Sequence, residues 1–380
     1  MLSIILNVLL FVLVIGVLTF VHELGHFLVA KAIKAKVYEF ALGFGPKLLK
    51  KKYKGTEYSI RMLPLGGFVK IMGDGDPGNN KEIKDDPGNL NNKPKIQQVV
   101  VMLAGVTMNI LFCVVVYFIV IASMGWKIPL SNDFEGFNPV GGTISREIVG
   151  GVEYSEVVDG GNAQKAKIPA QGEIKSIGGV ELTYSDEIKD LLAKSKGESV
   201  NINICEEDVC KDYLVDVSDK GTIGISLGSN YYVILSYENN KAFSGFAHVI
   251  NTLFLISDRL GDMFKEAKQT GDYSDLSNSV SGPVGIYFLI DYFKQFGVIT
   301  FLSVMADLSL SLAIINILPI PALDGGRVLI LMIEGISRKD LNEKVESLII
   351  NTSFILLMIL VLFIMIKDIV NIDNIKDMFS

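Results

Sequence analysis

His22, Glu23 and His26 stand as HELGH at the end of an almost uninterrupted apolar run from Met1 to Phe20. Four positions apart on a helix, the two imidazoles share one face and can reach a single metal ion. Glu23, beside the first of them, is placed to take a proton from an attacking water, the chemistry of zinc-dependent peptide hydrolysis. The chain has only 3 His, and two of them are these. In hydrocarbon such residues are costly and rarely occur without a task, which separates this motif from a chance HExxH.

A metal bound by two His needs at least one further protein ligand. Glu39 and a few loop acids follow at short range, but NILPIPALDGG, residues 316–326, is the better source. It puts Asp324 at the end of a distant apolar segment, on the same side of a membrane as HELGH. Pro319 and Pro321 should break that helix, and Gly325 and Gly326 should free the backbone to aim the carboxylate. Broken backbone is tolerated at membrane depth where protein or a wet cavity surrounds it. Asn316 adds a polar group to the same wall. The expected set is therefore His22, His26 and Asp324 on one zinc ion, with Glu23 as general base.

The elements that must position these residues are membrane helices. Hydrophobic residues make up 49% of the chain and mean hydropathy is +0.41, with the excess gathered in blocks. Four blocks are long enough to span a hydrocarbon core of about 30 Å. They are expected at 1–33 (with HELGH), 97–124, 295–326 (with LDGG) and 348–367. Net charge is −7 but unevenly spread: Lys31–Lys95 carries about +7, Trp126–Lys294 about −10. By the positive-inside rule, loops 34–96 and 327–347 are expected in the cytoplasm. The segments 126–240 and 241–294, the tail 368–380 and both termini are expected outside. No basic residue precedes the first apolar run, so it reads as a retained helix, not a signal peptide. No basic patch interleaved with aromatics argues for nucleic acid.

In the first loop, EYSIRML and GGFVKIM are β-like runs separated by Pro64, Gly66 and Gly67, which predicts a hairpin between them. A strand edge at Gly66, Gly67 and Phe68, close after HELGH, could pair with an extended peptide; a small ribbon without contact to substrate is the alternative. Residues 126–240 have soluble composition, with alternating strands, Gly-rich turns and one helix-like stretch, SDEIKDLLAKS. There Cys205 and Cys210 flank EEDV, suiting a disulfide across a hairpin or, less well, half of a zinc site. Cys113 reads as packing in an apolar helix. Residues 243–267 are spaced as an amphipathic helix on the outer membrane surface, with His248 an interfacial side chain.

HELGH, GFGP, EYSIRMLPLGGFVK, SGPVG and NILPIPALDGGR, in this order, resemble the site-2 protease family of intramembrane zinc metalloproteases. The likeness is strongest to its bacterial branch, often called RseP- or RasP-type, which regulates sigma-factor signalling. NAQKA, GEIKSIGGVEL, the helix after it and TIGISL resemble a PDZ domain. The resemblance implies a polytopic α-helical membrane protein of about four transmembrane helices, with a membrane-associated β-hairpin and one extracytoplasmic PDZ-like α/β domain. It implies one Zn2+ on His22, His26 and Asp324, Glu23 as base, and a cleft where Asn316 and the hairpin edge (Gly66, Gly67, Phe68) hold the substrate backbone. Its substrates would be single-span membrane proteins already trimmed outside the lipid bilayer, such as an anti-sigma factor or a signal-peptide remnant. A catalytically inactive PDZ-containing membrane scaffold is the rival from another class.

Overall fold

A computed structural model describes residues 2–74, 86–206, 209–339 and 341–372. The chain divides into two compact units, Met1–Ser123 with Ala242–Ser380, and Met124–Lys241.

The first unit begins with α1 (Leu2–Ala32), an unbroken helix because its run holds neither Pro nor any charge before Glu23. Lys34, at φ +59°, turns the chain into β1 (Val37–Tyr53), which pairs with β2 (Thr56–Ile71). This corrects the expected hairpin. EYSIRML and all of GGFVKIM but its last residue lie within one strand, β2, and its partner is the stretch ending in the lysine run. The turn is Lys54–Gly55, both at positive φ (45° and 83°), the backbone that a tight two-residue hairpin demands. The two strands bend back on themselves: Phe40 lies opposite both Tyr58 and Val69, and Leu42 opposite both Ile60 and Gly67.

The next helix, α2 (Lys95–Ser123), packs along α1. A Cβ on Gly25 would lie 2.2 Å from the Ala104 carbonyl oxygen, so the glycine inside HELGH is what lets the two backbones approach. Ala30, Val37, Ile71, Leu90, Val101 and Met102 form a core that ties α1, both strands and α2 together.

In the second unit, β3 (Lys127–Leu130), β4 (Thr143–Ile148) and the later β11 (Tyr231–Ser236) make a three-stranded sheet in the order β3-β11-β4. Between them come β5 (Glu153–Val157), α3 (Asn162–Lys165), β6 (Gly172–Ile177), β7 (Val180–Glu181), α4 (Glu187–Lys194), β8 (Ser199–Glu206), β9 (Val209–Asp216) and β10 (Ile225–Leu227). Their strands form a sheet ordered β10-β5-β6-β8-β9, with β7 on β6. Ile174, Ile177, Ile202, Ile204 and Val215 from the sheet meet Ile188 and Leu192 of α4 in a core. Cys205 and Cys210 face each other across β8 and β9 and are joined in a disulfide.

The chain returns to the first unit with α5 (Ser244–Thr270), α6 (Ser274–Asn278), α7 (Pro283–Phe293) and α8 (Val298–Ile317). The start of α5 is a packed element and does not lie free on a surface, because Gly245 lets it close on α2. A Cβ there would lie 2.1 Å from the Val114 carbonyl oxygen, and His248 is buried against the Tyr117 ring at 4.6 Å. Burial alone holds the His248 imidazole down at about 4.

The third apolar block is also not one element. α8 stops at Ile317, and a new helix, α9 (Asp324–Ser337), opens on the expected ligand itself. Pro319 and Pro321 account for the break. The expected loop 327–347 is thus mostly helical, since α10 (Glu343–Val370) begins soon after α9 ends. Of the tail expected at 368–380, residues 368–370 belong to α10 and 373–380 lie outside the described residues. Among the described residues, four helices are long and apolar enough to cross a membrane: Ile5–Ala32, Lys95–Ser123, Val298–Ile317 and Lys344–Val370.

Candidate metal centre

His22 and His26 are buried on the face of α1 that meets α2, their Nε2 atoms 3.3 Å apart. Asp324 Oδ2 approaches them at 3.1 and 3.3 Å, so three ligand-type atoms converge from two distant parts of the chain. Gly105 of α2 makes room for them, because a Cβ there would lie 2.3 Å from His26 Nε2 and 2.8 Å from His22 Nε2. Behind the rings, His26 Nδ1 lies 2.8 Å from the Val101 carbonyl oxygen, and His22 Nδ1 lies 3.2 Å from Asn109 Nδ2.

Asp324 reaches this point because of the glycines after it, though not by the conformational freedom expected of them. Gly325 and Gly326 are ordinary helical residues in the first turn of α9. Added Cβ atoms would lie 2.1 Å from the carbonyl oxygens of Ile317 and Ile320 respectively. Their role is to let the end of α8 and its Pro-rich turn press onto the start of α9. That start is also the positive end of the helix, which favours a carboxylate.

The donor set fits a cation. A carbonyl can only accept, so His26 Nδ1 carries hydrogen and its Nε2 presents a lone pair. Asp324 Oδ2 is buried and, among the described residues, makes no hydrogen bond despite its two imidazole neighbours. An orphaned carboxylate oxygen beside two imidazole nitrogens is an N2O ligand set, and catalytic zinc sites use three protein ligands with one position left open.

Glu23 is half-buried, and its carboxylate lies near the Val69 backbone amide of β2. Gly67 lets β2 close on β1, since a Cβ there would lie 2.7 Å from the Ala41 carbonyl oxygen, and Glu23 Cγ lies at ordinary contact distance from the same point. Gly66, at φ +99°, bends the strand where a Cβ would strike the Phe44 ring. The Phe68 ring stacks on Phe44 at 6.2 Å and lies under the Arg61 guanidinium at 4.9 Å. Asn316 is half-buried on the last turn of α8, with no hydrogen bond to the trio among the described residues. Glu39 is no ligand. It accepts from Ser59 (2.6 Å) and Arg61 (2.8 Å) and pairs with Lys47 within the sheet. Burial would raise its carboxyl pKa, but those donors hold it below the usual carboxylate range.

The three residues expected as ligands, His22, His26 and Asp324, meet in the structure, with Glu23 next to His22 on α1. The Val101 carbonyl, Gly105 and Asn109 of α2, which line the same place, are not among the expected site residues. The signal was present: residues 101, 105 and 109 recur every four positions, on one face of α2, as HELGH pairs its His on α1.

The sequence profile of peptidase family M50 matches residues 10–360. A protein of Clostridium perfringens named as a zinc metalloprotease is 33% identical, the match covering 94% of this chain and 97% of the relative. One from Clostridium acetobutylicum, also named as a zinc metalloprotease, is 31% identical over 96% of this chain and 97% of its own length. The chloroplastic membrane metalloprotease ARASP of Arabidopsis thaliana is 30% identical over 94% of this chain and 77% of its own. With four helices fit to span a bilayer and a donor set fit for zinc, this chain belongs to peptidase family M50, the site-2 protease family, and is a multi-pass membrane zinc metalloprotease.

Proposed function

We propose that this protein is an intramembrane endopeptidase that cuts single-span membrane proteins within or near their transmembrane segment, after a first cut has removed most of the ectodomain. The observation that carries this reading is the meeting of His22, His26 and Asp324 beside Glu23, which itself touches a strand edge among apolar helices. One zinc per chain is held by His22, His26 and Asp324. When bound, zinc supplies Lewis acidity toward the scissile carbonyl and the attacking water. Glu23 accepts the water's proton and delivers it to the leaving amine, while the Val69 amide holds its carboxylate in line.

A membrane helix hides its peptide bonds by internal hydrogen bonding, so the substrate must unwind before it can be cut. Once extended, it adds to the β2 edge at Gly66, Gly67 and Phe68, a recognition mode that relies on backbone hydrogen bonds. Asn316, at the mouth of the α8–α9 break, holds the substrate backbone from the other side. Charge asymmetry supports an active site near the cytoplasmic face, with 126–240 outside. The second unit's antiparallel sheet, with α4 between β7 and β8, supports a PDZ-like reading and a role as a size filter. Regulated intramembrane proteolysis of an anti-sigma factor or a signal-peptide remnant suits this design. Zinc metalloprotease relatives and an intact donor set leave the inactive-scaffold reading without support.

Glu23→Gln is the test. Gln keeps the shape but cannot take the proton, so cleavage of a trimmed single-span substrate should fall by a factor of about 10² to 10⁴. Zinc content and thermal melting should stay as in the parent protein. A zinc-loaded Gln variant that cleaves at the parent rate overturns the assignment.

A further inference from the structure

Asn109 lies in the middle of a membrane helix with 0% of its surface exposed, and its side chain meets the metal centre at His22. One end of its amide, assigned as Nδ2, is 3.2 Å from His22 Nδ1, while the other, Oδ1, is buried without a hydrogen-bond partner among the described residues. The two ends of an amide are nearly the same size, and only the surrounding hydrogen bonds decide which is which. With one end on His22 and the other unpartnered, the ring is the group that fixes the choice.

The ring's chemistry gives a definite answer. If Nδ2 donated to His22 Nδ1, that nitrogen would be the bare one, and the ring's hydrogen would sit on Nε2. Nε2 is the atom 3.3 Å from His26 Nε2 and 3.1 Å from Asp324 Oδ2. A hydrogen there would leave His22 unable to ligate. His26 has no such ambiguity, because the Val101 carbonyl at 2.8 Å can only accept. One turn apart on α1, the two His would then hold opposite tautomers at a site that needs the same one.

We propose that Asn109 is a positioning residue for the metal centre, with its amide turned so that Oδ1 accepts from His22 Nδ1–H and leaves the Nε2 lone pair for zinc. The inference rests on the reading of His22 as a ligand. Val101 and Asn109, eight positions apart on one face of α2, thereby set matching tautomers on the two His. Gly105, midway between them, keeps the wall open where the two Nε2 atoms meet. Ser309 of α8 donates to the Asn109 backbone carbonyl at 3.3 Å and fastens this part of α2 from behind. A metal-ligating His typically donates its second nitrogen's hydrogen to such an acceptor, and loss of that partner weakens metal binding.

Zinc affinity of the purified full chain, titrated against a competing chelator, separates the alternatives. Asn109→Ala should weaken zinc by about 10- to 100-fold. Asn109→Asp should stay near the parent value, because a carboxylate accepts from Nδ1–H. If Nδ2 faced the ring, it would oppose the ligating tautomer, so Ala would not weaken zinc and Asp would bind it more tightly than the parent. Parent-like affinity in Asn109→Ala, or equal loss in both variants with melting unchanged, overturns the proposal. Should the Asp variant not fold, 15N-histidine NMR of the zinc-loaded parent decides. With only 3 His in the chain, and His248→Asn to identify the third, a protonated Nδ1 on both remaining rings is expected. A bare Nδ1 on His22 refutes the tautomer assignment. Parent zinc affinity in His22→Ala would instead show that the ligand reading, and not the role of Asn109, had failed.

Discussion

Helices α2 and α10 are near twins by composition, at 29 and 28 residues, both overwhelmingly apolar. In their most apolar stretches 44% of α2 is buried, whereas none of α10 is. The difference lies in what interrupts the apolar sequence. In α2, Val101, Gly105, Asn109, Cys113 and Tyr117 follow one another at intervals of four, and each meets a neighbour along the buried face. Cys113 donates to the Ala306 carbonyl and Tyr117 to Asp307, both on α8. The middle of α10 has only Leu, Ile, Met, Val and Phe facing outward. Its polar grip is at one end, where the fully buried Asp368 accepts from the amides of Gly282 and Gly285 at the start of α7. Lipid tails are as apolar as Leu, so hydrophobicity alone brings no two membrane helices together, and small and polar residues decide which ones pack.

Three substitutions break or sharpen that contrast. Gly105→Ala should do the most. Its methyl would overlap both His rings, and rigid helices on either side leave no escape. Metal analysis should find zinc occupancy reduced to a small fraction of the parent, with cleavage lost in step. Full occupancy would mean that the α1–α2 wall yields more easily than its glycine contacts indicate.

Asp368→Asn should have an intermediate effect. Charge-assisted hydrogen bonds to helix amides become neutral ones, and a loss of about 1–2 kcal/mol is expected. Thermal melting in detergent measures it, and proteolysis before α7 should rise in parallel. An unchanged melt would show that α10 is anchored elsewhere.

Leu356→Ala, at an outward position of α10 that is 62% exposed, should do least. A change within about 0.5 kcal/mol is expected, as for surface sites. The same truncation at Val101 of α2, which is fully buried, provides the comparison. A large effect at Leu356 would reveal a partner covering α10.

The sequence conveys the metal centre better than the sheet beside it, and particular residues explain why. HELGH and LDGG are legible because metal chemistry restricts both residue type and spacing. Gly66 and Gly67 were misleading. They read as a turn, but the strand runs through them, and they are needed for close approach to Phe44 and Ala41. The true turn, Lys54–Gly55, was hidden in a lysine-rich stretch that reads as a basic loop. Lysines on an exposed edge strand look the same in sequence as lysines in solution. Asn109 was visible as a polar residue in an apolar run, yet its task depends on which face of α2 turns toward α1, and apolar periodicity is nearly silent when lipid surrounds the helix. Cys205 and Cys210 were easier, because facing positions on paired strands are a local matter.

The backbone contacts of Gly325 and Gly326 with the carbonyls of Ile317 and Ile320 have a further consequence. They make the segment 318–323 a fixed-length spacer. Asp324 is placed by counting residues from the end of α8, and the side chains between contribute little to that count. Exchanging Leu318 or Ile320 for another apolar residue leaves the count intact, whereas one inserted or deleted residue rotates α9 by about 100° and swings its first carboxylate away from the His pair. Variation that this stretch tolerates is therefore in identity and not in length.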